Sequence, residues 1–385
     1  MITLLLRKKT LIIKATFCLL MFLMPAFILQ AQLKKSKYVV IGYVGGYRGL
    51  TDMSMVNPEK LTHINYAFVN VRNNRAWLTH ERTDTINFRN LLTLKKKNPD
   101  LKILISIGGW TWSKNFSDAV LTDTARKAFA ASAVDLIRKY KLDGVDIDWE
   151  YPGLQGDHNI VRKEDEQNYT LMFADLRREL DALEKETGNK KLLTAAVGGF
   201  SRFLQHTEMG KVSQYLDYIN LMTYDYFQDT LGIAVHHTNL FASDKYKTDN
   251  SADKAVSAYL AQGVPASKLV MGIAFYGRSV MVKDSAQNGV GMKTGEHIWV
   301  GGYTHLKDSL LNRNGFTYYR DNAAGAPYLF KASTKQFITF DDEWSVKNKC
   351  QYMVDHQMAG VMFWEYADDK KEYLLDAIDE RLDAK

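Results

Sequence analysis

Ten residues from Asp143 to Pro152, Asp-Gly-Val-Asp-Ile-Asp-Trp-Glu-Tyr-Pro, set Asp146, Asp148 and Glu150 two apart, with apolar Val145, Ile147 and Trp149 between them. Side chains along a strand alternate faces, so the three acids would project from one side of a single strand. Adjacent acids would then lie ~6–7 Å apart along it. Three carboxylates in a row stabilise little, because like charges at that range raise one another's pKa. A half-exposed strand with a solvated acidic face is the plain alternative. Against it, Val145 to Trp149 is strongly apolar and follows a long amphipathic segment, the pattern of a strand buried between helices. A carboxyl kept protonated near neutral pH can donate its proton to a leaving group, so the row reads as acid–base chemistry.

Such a row needs a scaffold that brings a buried strand to an open face. Candidate strands are Tyr38–Tyr43, Leu61–Val71, Lys102–Ile107, Gly144–Trp149, Leu192–Val197, Tyr218–Thr223, Leu269–Phe275 and Gly360–Trp364. Between the third and fourth, Thr122 or Asp123 can cap a helix with Phe129, Ala133, Leu136, Ile137 and Tyr140 on one face. After the fourth, Tyr169, Met172, Phe173, Leu176, Leu180 and Leu183 repeat at helical spacing until Gly188 stops it. Ala255, Val256, Tyr259 and Leu260 mark a further helix, and Leu374, Leu375, Ile378 and Leu382 a last one. Strand–helix alternation eight times over predicts an α/β fold, a parallel (β/α)8 TIM barrel.

The rhythm breaks from about Ser279 to Glu343 into short strands and turns, with Phe316–Tyr319 and Gln336–Phe340 as strand candidates. That predicts a small α+β insertion domain between the seventh and eighth strands. The organisation is thus a leader over 1–31, a barrel over 32–278 and 344–385, and an insertion over 279–343. No repeats, low-complexity linker or separate binding module follow the eighth strand.

Bulk properties agree with a large soluble domain: of 385 residues, 46% are apolar and 24% charged. Arg7, Lys8, Lys9 and Lys14 precede an apolar run, Ala15 to Leu29, interrupted by Pro25 and followed by Gln30-Ala31-Gln32. This reads as a secretory signal, too short and too poorly flanked to span a membrane, and predicts a secreted or periplasmic protein. Uncleaved retention as a tether is the alternative. Removing residues 1–31 takes away four basic side chains and no acidic one, so the formal charge falls from +6 to +2. A nearly neutral mature chain gives no reason to expect nucleic acid as partner. Cys18 leaves with the leader, so Cys350 has no intrachain partner, and its place in a helix over Val346 to Met358 predicts a buried structural thiol.

Chemistry in such barrels sits at the C-terminal strand ends. There the sequence places Ser106-Ile107-Gly108-Gly109-Trp110, Glu150-Tyr151, Met222-Thr223-Tyr224-Asp225, Tyr276-Gly277-Arg278 and Phe363-Trp364-Glu365. Each aromatic alone reads as core. Together with the acids they suit a sugar, whose apolar ring faces stack on aromatics while its hydroxyls take hydrogen bonds.

From Tyr38 to Tyr366 the chain closely resembles the family-18 glycoside hydrolases, the chitinases and their relatives. The resemblance rests on Asp143-x-x-Asp146-x-Asp148-x-Glu150, then Ser106-x-Gly108-Gly109, Met222-x-Tyr224-Asp225 and Tyr276-Gly277-Arg278 in order. Ala326-Pro327-Tyr328 and Phe340-Asp341-Asp342 look like the insertion lobe of the deep-cleft bacterial-type subgroup. The resemblance implies hydrolysis of β-1,4-N-acetylglucosamine links in chitin or its oligosaccharides, assisted by the substrate's own acetamide. An ordinary retaining enzyme needs a carboxylate nucleophile about 5–5.5 Å away across the sugar. Two acids on one strand share a side, so neither is well placed to attack from the opposite face.

On this resemblance Glu150 is the acid and later the base, with Asp148 beside it supplying the like charge that raises its pKa. Asp148 would orient the acetamide nitrogen, Asp146 would hold Asp148 by sharing a proton, and Tyr224 would donate to the acetamide oxygen. Asp225 would bind the distorted sugar and Trp364 would lie beneath it, with Tyr43 and Ser106 around Asp146. Trp110 and Tyr151 would line the leaving-group side, and Tyr276 with Arg278 the glycan further along. Phe68, Gly109 and Met222 complete the implied binding positions. Asp143 has the opposite parity, and fixing the turn into the strand through Gly144 is its expected job. One departure stands out: many chitinases carry a tryptophan in the loop after the Met222–Asp225 block. Here the run is Tyr226-Phe227-Gln228-Asp229, with no Trp before His237.

Two other readings stay open: a fold-mate acting on the chitobiose core of N-glycans or on peptidoglycan, and a carbohydrate-binding lectin. Non-catalytic relatives usually lose the residue at the Glu150 position, which this chain keeps. No cofactor or metal is expected: His63, His158, His236 and His237 show no ligand spacing and read as solvated or packing residues. No oligomeric state is legible, and a monomer is the default expectation.

Overall fold

The computed structural model describes residues 37–227, 232–248 and 250–383. The expected leader, Cys18, and Gln228 with Asp229 lie outside the described residues. Eight parallel strands close on themselves: β1 (Val39–Gly45), β2 (His63–Arg72), β4 (Lys102–Gly108), β5 (Gly144–Asp148), β6 (Leu192–Gly198), β7 (Tyr218–Met222), β8 (Leu269–Ala274) and β14 (Gly360–Trp364), with β14 pairing back to β1. All eight expected strands are present in order, and the barrel expectation holds. A short strand, β3 (Arg75–Trp77), turns back on β2 and was not anticipated.

The strand–helix alternation is less regular than the eight repeats expected. Only 3-10 turns, Met53–Met55 and Pro58–Lys60, join β1 to β2. The long helices are α1 (Glu81–Leu94), α2 (Asp123–Tyr140), α3 (Asp165–Thr187), α4 (Ala252–Ala261), α5 (Glu343–Asp355) and α6 (Tyr373–Asp383). Local chemistry sets their ends. The Thr122 hydroxyl accepts the Ala125 N–H to start α2, and Gly188, at φ +67°, ends α3 in the left-handed region. No helix among the described residues is long and apolar enough to cross a membrane.

Strand parity sorts two cores. Val145, Ile147 and Trp149 face outward into the layer between sheet and helices, where Trp149 stacks on Phe116 with centroids 5.2 Å apart. Inside the barrel lie Tyr43, Ala196, Val270 and Met362, together with a polar tier of Ser106, Asp146, Thr194 and Asn220. Asp143 sits at the opposite end of β5: its carboxylate accepts the Ile103 N–H at 2.8 Å and pairs with Lys95 at 2.6 Å. Gly144 follows because a Cβ there would meet the Leu192 carbonyl oxygen at 2.2 Å.

A second sheet follows β8. Its five antiparallel strands are β9 (Arg278–Val282), β10 (Thr294–Ile298), β11 (Thr317–Asp321), β12 (Ala326–Lys331) and β13 (Gln336–Thr339), in the order β10-β9-β13-β12-β11. Val280, Val282, Tyr328, Phe330 and Phe337 pack with Ala234 and Val235 to give this sheet its own core.

A buried ion pair ties sheet, barrel and α5 together. Lys349 Nζ lies 2.7 Å from Asp341 Oδ2, both without exposure. Asp341 also accepts from Thr238 at 2.8 Å, the Ala274 N–H at 3.2 Å and Ser345 at 2.7 Å. Cys350, one residue on, is buried and free. Removing one partner of a buried pair strands the other charge, a loss of about 3–5 kcal/mol. Lys349→Met should therefore lower unfolding free energy by about that much in urea titrations; a change under about 1 kcal/mol would show that the pair is dispensable.

Candidate active site

Where the barrel strands end, a cleft of about 1030 Å³ opens, lined among others by Tyr43, Phe68, Trp110, Asp148, Glu150, Tyr151, Met222, Tyr224, Asp225, Tyr276, Arg278 and Trp364. That is the size of a large ligand site. Ser106 and Asp146 lie beneath it, fully buried. Gly109 sits against it, at φ +81°, where a Cβ would meet the Phe68 ring at 2.6 Å.

Register explains the neighbours of Asp146. Ser106 and Thr194 face it on adjacent strands. Tyr43 and Ser106 donate to one oxygen at 3.0 and 2.7 Å, and Thr194 and Asn220 to the other at 2.5 and 3.3 Å. Burial raises the Asp146 pKa while these four donors pull it back. Thr194 and Asn220 were not anticipated; their inward parity on the fifth and sixth barrel strands was the available signal.

Among the described residues the four donors are the hydrogen-bond partners of the Asp146 carboxyl, and none of them is Asp148. Asp148 Oδ1 is buried with no partner among the described residues. Burial, then the charges of Glu150 and Asp146, hold the Asp148 pKa well above the usual range. Its backbone is fixed instead: the Asp148 carbonyl accepts the Gly109 N–H at 2.7 Å and the Ser113 hydroxyl at 3.1 Å. Ser113 also receives the Glu150 N–H at 2.9 Å. Gly108, at φ +113°, admits this approach, since its Cβ would lie 2.1 Å from that carbonyl oxygen.

Glu150 lies just past the end of β5, half-buried and turned to the cleft. Burial raises its pKa to about 7, opposed by a hydrogen bond from Tyr151 and reinforced by the charge of Asp225. Desolvation leads; the expected like charge acts between Asp148 and Glu150, each disfavouring the other's ionisation, and Asp225, just past the end of β7, adds to it. Asp148 and Glu150 share one outcome: both favour the protonated form.

Tyr224 lines the cleft, its hydroxyl 3.8 Å from the Met362 sulfur. Asp225, at φ +57°, takes Arg278 Nε and Nη2 on its two oxygens, each at 2.7 Å. Against the cost of burial, the nearby His237 ring and this Arg278 pair together hold the Asp225 carboxyl well below the usual range. Arg278 also sits over the Tyr276 ring, 5.1 Å from its centroid. Trp364 forms a panel with Phe68 and Tyr47, at 5.3 and 6.3 Å and within 17° of parallel. Under it, buried Glu365 accepts the Tyr47 hydroxyl at 3.0 Å and pairs with Arg48 at 2.5 Å. Across the cleft Trp110 is 52% exposed and meets Tyr151 edge-on at 6.5 Å.

The structure therefore gathers every expected site residue in or directly beneath one cleft. It adds Tyr47, Arg48, Ser113, Thr194, Asn220 and Trp299, the last 74% exposed at the rim. Among the described residues no cluster of metal-ligating side chains occurs. His236 and His237 are buried rather than solvated, the first 3.1 Å from Asp321.

Residues 39–369 match the family described as Glycosyl hydrolases family 18. Chitinase A1 of Niallia circulans is 36% identical over a 423-residue alignment, which covers 92% of this chain and 60% of that protein. Chitotriosidase-1 of Mus musculus is 33% identical, covering 80% of this chain and 67% of its own length. Among solved structures, a glycoside hydrolase family 18 N-acetylglucosaminidase from Paenibacillus barengoltzii superposes with a TM-score of 0.84 at 38% identity, covering 89% of this chain and 99% of that one.

A carboxyl with a raised folded pKa costs stability as pH rises from its ordinary value to the folded one, because the unfolded chain ionises first. For Glu150 that window runs from 4.5 to about 7. Glu150→Gln should leave the melting temperature unchanged near about pH 4 and raise it near about pH 8. An equal effect at both, or a loss at the higher pH, would contradict the raised pKa.

Proposed function

This chain belongs to family 18 of the glycosyl hydrolases, and from that premise we propose that it is an exported chitinase cleaving β-1,4 links between N-acetylglucosamine residues. The observation that carries this is Glu150, a carboxyl at the cleft with its pKa raised to about 7, next to Asp148 on the same strand exit. Export rests on the basic-then-apolar pattern of residues 1–31.

Glu150 delivers its proton to the glycosidic oxygen, and the bond from that oxygen to C1 breaks. The acetamide oxygen of the same sugar attacks C1 from the opposite side, giving an oxazolinium ion and freeing the leaving sugar as an alcohol. Ionised Glu150 then takes a proton from water as the water adds to C1, which reopens the ring with net retention. What supports acetamide attack over a protein nucleophile is the state of Asp225. Both its oxygens are engaged by Arg278, while Asp148 shares the face of Glu150. Asp148 accepts the acetamide N–H, so its unpartnered Oδ1 gains a donor when substrate arrives. Tyr224 donates to the acetamide oxygen, and Trp364 supports the distorted ring from below.

A second reading draws on the 38%-identical structure from Paenibacillus barengoltzii, that of an N-acetylglucosaminidase. On that reading the chain removes single N-acetylglucosamine units from chain ends. Mass analysis of products from chitohexaose, a high-mannose glycoprotein and peptidoglycan separates the readings. The proposal expects cuts in chitohexaose alone, and monosaccharide as sole first product would favour the second reading. Glu150→Gln should lose at least about a thousandfold in kcat while still binding chitohexaose, since protonation of the leaving oxygen contributes about 10²–10⁴-fold and the variant also lacks the returning base. In the parent, activity should fall as pH rises through about 7. Turnover at the parental rate in that variant would end the mechanism.

A further inference from the structure

Behind the cleft wall lies a buried imidazole that the chemistry above does not use. His237 has no exposed surface, and neither ring nitrogen has a hydrogen-bond partner among the described residues. Its backbone is held from two sides. The His237 N–H donates to Thr339 Oγ1 at 3.1 Å, and its carbonyl accepts the Tyr226 N–H at 3.1 Å. The next residue, Thr238, reaches the Thr223 carbonyl at 3.3 Å and the Asp341–Lys349 pair. The ring is therefore fixed between the exit of β7 and the last strand of the second sheet.

The ring packs on Tyr276 with centroids 5.3 Å apart. Its Nδ1 points at Asp225, 3.6 Å from Oδ1, just outside hydrogen-bond range. Leaving a buried donor unpaired is costly, and an apolar side chain at this position would avoid that cost. The cost is relieved if the ring finds its partner in another state of the site. Asp225 can supply one. In the free protein its two oxygens lie parallel to Arg278 at 2.7 Å each. A sugar hydroxyl that reaches Asp225 must share or displace one of those bonds, and a small rotation then brings Oδ1 to Nδ1.

We propose that His237 is a positioning residue for Asp225: its neutral ring donates Nδ1–H to that carboxylate once bound sugar draws it off the two-pronged Arg278 pair. The inference rests on the reading of Asp225 as a sugar contact. Four groups face the ring. Asp225 and Asp341 favour its charged form, Arg278 disfavours it, and Tyr276 covers one side; burial outweighs the acids and keeps it neutral. A neutral donor steadies Asp225 without adding a cation that would compete with Arg278. The consequence reaches Glu150, because the charge of Asp225 helps that acid keep its proton.

The test compares His237→Phe and His237→Gln, each alone and on an Asp225→Asn background, by chitohexaose kinetics across pH and by thermal unfolding. His237→Phe should lower kcat/KM about tenfold, and His237→Gln, which keeps a donor, should restore most of it. The basic limb of the kcat profile should move to lower pH in His237→Phe, since a less well directed Asp225 charge lets Glu150 ionise sooner. Its melting temperature should stay level or rise, because an unpaired buried polar group has gone. With Asp225→Asn present, His237→Phe should add no further loss. Parental kcat/KM and pH profile in His237→Phe would overturn the proposal. So would a loss that persists undiminished on the Asp225→Asn background, or one that tracks a fall in melting temperature. Turnover by the parent reports separately on the proposed function, while the ratios among variants report on His237.

Discussion

The site depends on one constraint: three carboxylates on one strand exit must be carried in a space that disfavours their charges. Each meets it differently. Asp146, at the bottom, is surrounded by four donors from four other strands. Asp148 receives no donor on Oδ1 among the described residues, so neighbouring charge and burial press it toward protonation. Glu150, at the mouth, has the cleft before it and protein behind, and its pKa is raised to about 7. The gradient from full burial to partial exposure runs up the strand toward the open face, so a transferable proton sits where a ligand can reach it.

Most of the scaffold serves to keep that gradient in register. Trp149 anchors the outer face of the strand exit on Phe116 and Tyr169. Gly108 and Gly109 let the end of β4 pass close enough for its N–H to hold the Asp148 carbonyl, and Ser113 links that carbonyl to the Glu150 amide. Opposite, the Asp341–Lys349 pair joins the ends of β8 and β13 to the segment that carries His237. Asp225 and Arg278 are thus placed by packing remote from the cleft, and the charge of Asp225 acts back across it on Glu150.

Much of this was legible in the chain. Alternation alone put Asp146, Asp148 and Glu150 on one face and Asp143 off it, because side-chain period on a strand is fixed by backbone geometry. The eight apolar runs located the barrel strands, since strands buried on both faces cannot hide among polar sequence. The conformational demands on Gly108 and Gly109 showed only as a motif. What stayed illegible depends on closure in three dimensions. Thr194 and Asn220 are single polar residues in apolar strands, and only barrel register sets them level with Asp146. Parity alone set the charge of Asp148 beside Glu150, whereas the added charge of Asp225, 75 residues further along the chain, comes only with barrel closure. The His236–His237 pair looked like packing or solvated surface. A ring's burial and its distance to a carboxylate are tertiary facts with no sequence signature.

The central claim is that the Glu150 carboxyl stays protonated far above the range of an ordinary glutamate. Infrared difference spectra of parent against Glu150→Gln isolate the carbonyl stretch of that one protonated carboxyl and follow it through a pH titration. The account predicts a band that fades with a midpoint of about 7. A midpoint at the ordinary 4.5 would contradict it.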